Sequence, residues 1–342
     1  MVTSRTASSS RSSFTLVEML TAIVVLSLLM VLIFNIVGST LKISDTTSRS
    51  ADTAIEARQV MDRIGADIAA MVNRTDVDQF YWKAAGNDKM FFYSQVTGFF
   101  DPTVATAGES PYSLIGYRIN ATDNSSQTPM LERLARGLIW DNSSDTISSG
   151  ATVDPNNTTT NLQFLSFSPA RTNAAVDPTV VGGAITNEFA LGNTLQDAGT
   201  SGGNFDDGTS PYYDSIGTQV FRFEICFQLQ NGTFSLYPAY TNSAPTYPSS
   251  LTNMAAIVVA IAVLDTKSRK LITSAGWTAL TNSTTLPDPT AANLATNGLM
   301  DVLWNNALRS STFASTAGIP AVAAARIKVY QRYYYVNPPK SQ

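Results

Sequence analysis

Histidine is absent from this 342-residue chain, cysteine occurs once, at Cys226, and no proline appears before Pro102. Each absence excludes something. Without histidine there is no Ser-His-Asp triad and no Cys-His pair, and the commonest general base and metal ligand is missing. A single cysteine forms neither an intramolecular disulfide nor a thiolate cluster. Cys226 alternates with apolar neighbours in a predicted strand, which reads as a small core residue. Charge is scarce too, at 14% of residues, with 22 basic side chains against 26 acidic ones. The net charge of −4 supplies no basic surface to neutralise phosphates, so no nucleic-acid partner is expected.

Carboxylate chemistry is the remaining route to an enzyme. The scattered Asp and Glu residues, Asp206-Asp207 included, show no spacing that favours a glycosidase pair. Asn204 with Asp206-Asp207-Gly208 offers oxygen donors for calcium but lacks a full ligand run, and reads as a solvated loop. Gly182-Gly183 and Gly202-Gly203 follow no phosphate-binding pattern. The expectation is a protein that is not an enzyme and needs neither cofactor nor metal. A membrane-anchored extracytoplasmic enzyme is the remote alternative.

What is present is a long apolar run from Phe14 to Val37, interrupted only by Thr15, Glu18, Thr21, Ser27 and Asn35. About 20 apolar residues suffice to cross a bilayer as a helix. A carboxylate inside such a span costs about 2.5–3.5 kcal/mol on insertion scales, so Glu18 calls for a partner. No small-x-small cleavage site closes the run, and it is too long for the core of a secretory signal. Arg5 and Arg11 precede it, which favours a cytoplasmic N-terminus and places the rest of the chain outside.

Helix-breaking residues are rare well beyond the span. Between Phe14 and Asn73 the only glycines are Gly38 and Gly65. Ile55, Met61, Ile64, Ile68 and Met71 recur at helical spacing, with Glu56, Arg58, Asp62, Arg63 and Asp67 largely between them. One continuous helix over 14–73 is predicted, on the order of 90 Å long. Its first part, 14–37, serves membrane or filament, and its amphipathic continuation, 38–73, packs on a head. A break near Gly38-Ser39 is the alternative.

The N-terminus resembles the prepilin-type cleavage and methylation signal of type IV pilins and type II secretion pseudopilins. The motif is Ser13-Phe14-Thr15-Leu16-Val17-Glu18 behind a short basic leader. The resemblance implies a leader over 1–13, cut between Ser13 and Phe14 by a prepilin peptidase that also methylates the Phe14 amine. Ser13 stands where the family usually has glycine. The resemblance further implies that Glu18 serves assembly, pairing with the N-terminal amine of a neighbouring subunit. The implied partners are prepilin peptidase, other pilin or pseudopilin subunits and an inner-membrane assembly platform. The implied location is the cytoplasmic membrane, single-pass, with the head in the periplasm or at the cell surface.

After Asp76 the periodicity turns to strand. Strands are predicted at Lys89–Tyr93, Ile115–Ile119, within Met130–Trp140, at Ala255–Leu264 continued by Lys270–Ile272, and at Arg326–Tyr333. Asn231-Gly232 between alternating runs predicts a hairpin with a type I′ turn. Leu294, Leu299, Val302, Leu303 and Leu308 suggest a short helix after Pro287-Asp288-Pro289. The segments 142–161 and 172–210 are rich in Ser, Thr, Asn, Asp and Gly and read as surface loops or disorder. Tyr330, Tyr333, Tyr334 and Tyr335 read as a packed terminal strand, and Phe91-Phe92 and Phe99-Phe100 as core.

The fold class expected is α+β, a long N-terminal helix packed on a strand-rich antiparallel head over 74–342. This order resembles the larger minor pilins and the J-type pseudopilins. The Arg-Gly-Leu-Ile-Trp and Lys-Val-Tyr-Gln-Arg stretches also look like the Verru_Chthon cassette protein C group. A structural filament subunit is the first functional expectation, and a filament-tip adhesin or ligand-binding head the second.

Overall fold

The computed structural model describes residues 15–73, 79–83, 85–99, 109–120, 128–137, 180–181, 213–237, 254–297 and 300–336. The leader, Ser13, Phe14, the 142–161 segment and the 202–208 cluster lie outside them. The chain divides into two units, residues 1–52 and 53–342. The fold is α+β, with a long N-terminal helix and two sheets.

Helix α1 runs Leu16–Ala69 without a break at Gly38-Ser39. In the first unit it carries the apolar run, and every described residue from Thr15 to Ser44 is exposed. Its most apolar 18-residue window has a mean hydropathy of 2.8 and nothing buried, so the helix is long and apolar enough to cross a membrane.

In the second unit Thr53, Ala57, Val60, Met61, Ile64, Asp67 and Ile68 form the buried face of α1. The helix ends four residues before the predicted Asn73. The backbone there turns to sheet bonding, with Val72 N–H donating to Tyr93 and Gln95 N–H donating to Ala70.

The larger sheet contains β1 (Gln79–Trp82), β2 (Lys89–Ser94), β3 (Gly98–Phe99), β4 (Glu109–Ser110), β5 (Ser113–Asn120), β6 (Met130–Gly137), β7 (Val180–Val181) and β8 (Tyr213–Gly217). The order is β4-β3-β6-β5-β2-β1-β7, with β8 also on β6. All pairings are antiparallel except the short β3–β6 contact at Phe99 and Arg136. Within the segment 172–210, Val180 and Val181 pair with Trp82 and Tyr81, and residues 172–179 and 182–210 lie outside the described residues.

The smaller antiparallel sheet has the order β10-β9-β11-β12, from β9 (Val220–Leu229), β10 (Phe234–Ser235), β11 (Met254–Val263) and β12 (Lys328–Tyr335). Its central strand shows the two-residue period of a sheet buried on both faces. Ile257, Val259, Ile261 and Val263 join the core shared with α1 and the larger sheet. Val258, Ala260, Ala262 and Leu264 point the other way, into a second core. That core is closed by α2 (Thr266–Arg269), α3 (Ser274–Thr281), α4 (Ala291–Asn297), α5 (Met300–Leu308), α6 (Phe313–Thr316) and α7 (Ala321–Ala324).

Two local predictions are corrected. Lys270–Ile272 is a turn, not a strand, because caps start helices on either side of it. Asp265 accepts from the Lys267 and Ser268 N–H groups at 3.1 Å, and Thr273 Oγ1 accepts from Gly276 N–H at 3.2 Å. The hairpin at Asn231-Gly232 forms, but its loop is Gln230, Asn231 and Gly232. Gly232 N–H donates to Leu229, and its φ of 84° places the left-handed residue last. This is a type I turn closed by a glycine bulge, the alternative to the predicted type I′ form.

Candidate assembly site at the start of the apolar helix

Thr15 is the residue before the first helical turn, and Glu18 stands three positions on. The Thr15 N–H and hydroxyl each donate to Glu18 Oε2 at 3.0 Å, while the Glu18 N–H reaches Thr15 Oγ1 at 3.3 Å. This is a capping box, in which two otherwise orphaned helix-start donors are satisfied reciprocally. Two further polar residues of the run are also satisfied within the helix. Thr21 and Ser27 donate to the carbonyls of Glu18 and Val24 at 3.0 and 2.9 Å.

Glu18 itself is exposed, as are Leu16 and Val17 beside it. The arrangement presents one carboxylate, already anchored from its own chain, on an otherwise apolar helix start. Ser13 and Phe14, the predicted cleavage and methylation residues, lie outside the described residues. The capping box was within reach of sequence reasoning, since Thr-x-x-Glu before an apolar run is its signature.

The second unit shows what holds α1 on the sheets, and here sequence reading fell short. The helical pattern places Asp67 among the charges between the apolar positions, yet it is fully buried. Its position three beyond Ile64 and four before Met71 is the signal that it shares their face. Arg133 grips it bidentately, at 2.6 Å from Nε and 3.0 Å from Nη2, and the Tyr117 hydroxyl donates to it as well. Burial, then the Asp67 charge, pushes the Tyr117 hydroxyl well above its ordinary pKa. Burial works against the Arg133 charge, but the bond to Asp67 holds that pKa above its ordinary value.

Further links tie the helix down, among them the Ser94 hydroxyl donating to the Asp67 carbonyl at 3.0 Å. The Glu56 carboxylate accepts from Gln219 N–H at 2.6 Å, Asp62 pairs with Arg332, and the Tyr334 hydroxyl donates to the Met61 carbonyl at 2.6 Å.

Several of the other singled-out residues belong to packing, while Phe100 and the side chain of Phe99 lie outside what the structure describes. Cys226 is buried, and burial pushes its thiol up to about 12, so it carries no thiolate at neutral pH. Phe91 and Phe92 are buried, and Tyr334 is buried against α1, while Tyr335 is exposed. Among the described residues no group of three or more Cys, Asp or Glu side chains converges as a metal site. The sequence matches no family model and no curated protein.

Proposed function

We propose that this chain is a minor-pilin or pseudopilin-like structural subunit of a type IV pilus or type II secretion-type filament. In this reading prepilin peptidase cuts between Ser13 and Phe14 and methylates the new amine. The apolar part of α1 rests in the cytoplasmic membrane with its N-terminus inside. It then leaves the membrane, through an inner-membrane assembly platform, to pack among the helices of other subunits.

The observation that carries the reading is the pairing of Glu18 with Thr15 at the head of an exposed apolar helix. The local donors offset part of the cost of holding the charge in lipid. A neighbour's N-terminal amine then offers the stronger, charge-assisted partner in a water-poor environment.

Glu18→Gln tests this by removing the charge and keeping the shape. Membrane insertion should be unchanged or slightly easier, and the second unit should fold normally. Crosslinking to partner subunits should fall at least tenfold at matched expression, since the partner amine is left as an uncompensated buried charge. Crosslinking equal to wild type would reduce Glu18 to a tolerated polar residue.

A further inference from the structure

The tip of the β1–β2 hairpin places a lysine and an aspartate face to face. Trp82 pairs with Lys89 at the end of the ladder, and Lys83 and Asp88 are the next residues toward the turn. The Lys83 Nζ contacts the Asp88 carboxylate and the Ile225 carbonyl, and Glu224 Oε2 lies 4.0 Å away. The site is dry: the side chains of Asp88 and Glu224 are 1% exposed and that of Lys83 is 12%.

It is also held in place by the smaller sheet. Asp88 Oδ2 accepts from Ile225 N–H at 2.8 Å, Asp88 N–H donates to Phe223, and Phe223 N–H donates to the Asn87 side chain. Among the described residues, the ion pairs of the cluster join two cations, Lys83 and Arg222, with three carboxyl groups, Asp88, Glu224 and Asp288. One carboxyl is therefore in surplus. Burial, then the Asp88 charge beside it, pushes the Glu224 carboxyl well above its ordinary range.

We propose that Lys83 and Asp88 condense into an intramolecular amide, with Glu224 as the proton relay. The Lys83 ammonium gives a proton to the Asp88 carboxylate, and the freed amine adds to Asp88 Cγ. Glu224 protonates the departing hydroxyl, which leaves as water, and recovers a proton from the nitrogen. One C–N bond forms and one C–O bond breaks, so ammonium plus carboxylate becomes amide plus water without oxidant, reductant or cofactor.

Two effects drive the step. Fixed contact replaces a bimolecular encounter, and a buried ion pair is exchanged for a neutral group in a site that excludes water. The product removes one cation and one anion together and leaves Arg222 paired with Asp288. It also closes the hairpin tip into a covalent ring from Lys83 to Asp88, which stays hydrogen-bonded to β9 through Ile225 N–H. The inference is independent of the filament reading.

The test is peptide mass analysis of the full chain, denatured and then digested with trypsin. The peptide from Thr75 to Lys89 should remain uncut after Lys83 and be lighter by one water, with fragments locating the loss between Lys83 and Asp88. In Lys83→Arg the peptide should return to full mass and be cut. In Glu224→Gln, with the circular dichroism of the wild type, most of the peptide should do the same. A wild-type peptide at full mass and cut after Lys83 would overturn the proposal. So would a water loss that survives in Lys83→Arg, because that places the dehydration on an aspartate alone. Complete condensation in Glu224→Gln would overturn the relay role.

Discussion

Asp67 lies between α1 and the larger sheet with no exposed surface, gripped by Arg133 on two bonds and by the Tyr117 hydroxyl. Its value to the fold is clearest in what its loss would leave behind. Asp67→Asn keeps the size but strands the Arg133 guanidinium, whose side chain is 8% exposed. Breaking a buried pair in this way costs about 3–5 kcal/mol, because the remaining charge is uncompensated. Replacing Asp67, Arg133 and Tyr117 together by Leu, Met and Phe should cost far less, since no polar group is then orphaned. Urea unfolding of the detergent-solubilised chain measures both. A loss below about 1 kcal/mol for Asp67→Asn would mean that the pair behaves like an exposed one.

At the scale of the element, α1 and β12 meet through a glycine. A Cβ built on Gly65 would lie 2.8 Å from the Tyr334 ring, so the bare backbone is what lets the tyrosine lie across the helix and bond Met61. In an exposed helix, glycine to alanine stabilises by about 1 kcal/mol. Here the sign reverses: Gly65→Ala should destabilise by about 1–3 kcal/mol through overpacking. In the Tyr334→Leu background the same change should be close to neutral or favourable. Thermal unfolding of the four proteins gives the coupling, and an additive outcome would remove Tyr334 as the cause.

Gly65 also marks how far the sequence could be read. The long helix was legible because its period and its lack of proline are local properties, and so were β2, β5, β9 and β11. The α2 and α3 helices were missed because short segments carry little periodicity, although Asp265 and Thr273 were capping residues in plain view. The burial of Arg222 and Glu224 was not legible, because it depends on partners from distant segments. At the candidate site Glu18 stood out as the lone charge of its run. Its tie to Thr15 follows the Thr-x-x-Glu spacing of a capping box.

At the scale of the whole molecule, the two units meet solvent very differently. The second unit buries two cores on either side of the smaller sheet. In the first, large apolar side chains from Leu16 to Ile43 are exposed, among them Leu16 at 81% and Phe34 at 71%. A contiguous apolar surface of this kind marks contact with a membrane or with other chains. The proposal assigns both in succession, lipid before assembly and neighbouring helices after it. That succession depends on the cut that frees the Phe14 amine, so processing is its most direct test. N-terminal mass analysis of the membrane-extracted protein should find a chain beginning at Phe14 with a methylated amine. A chain retaining Met1, or one cut beyond Val37, would contradict the account.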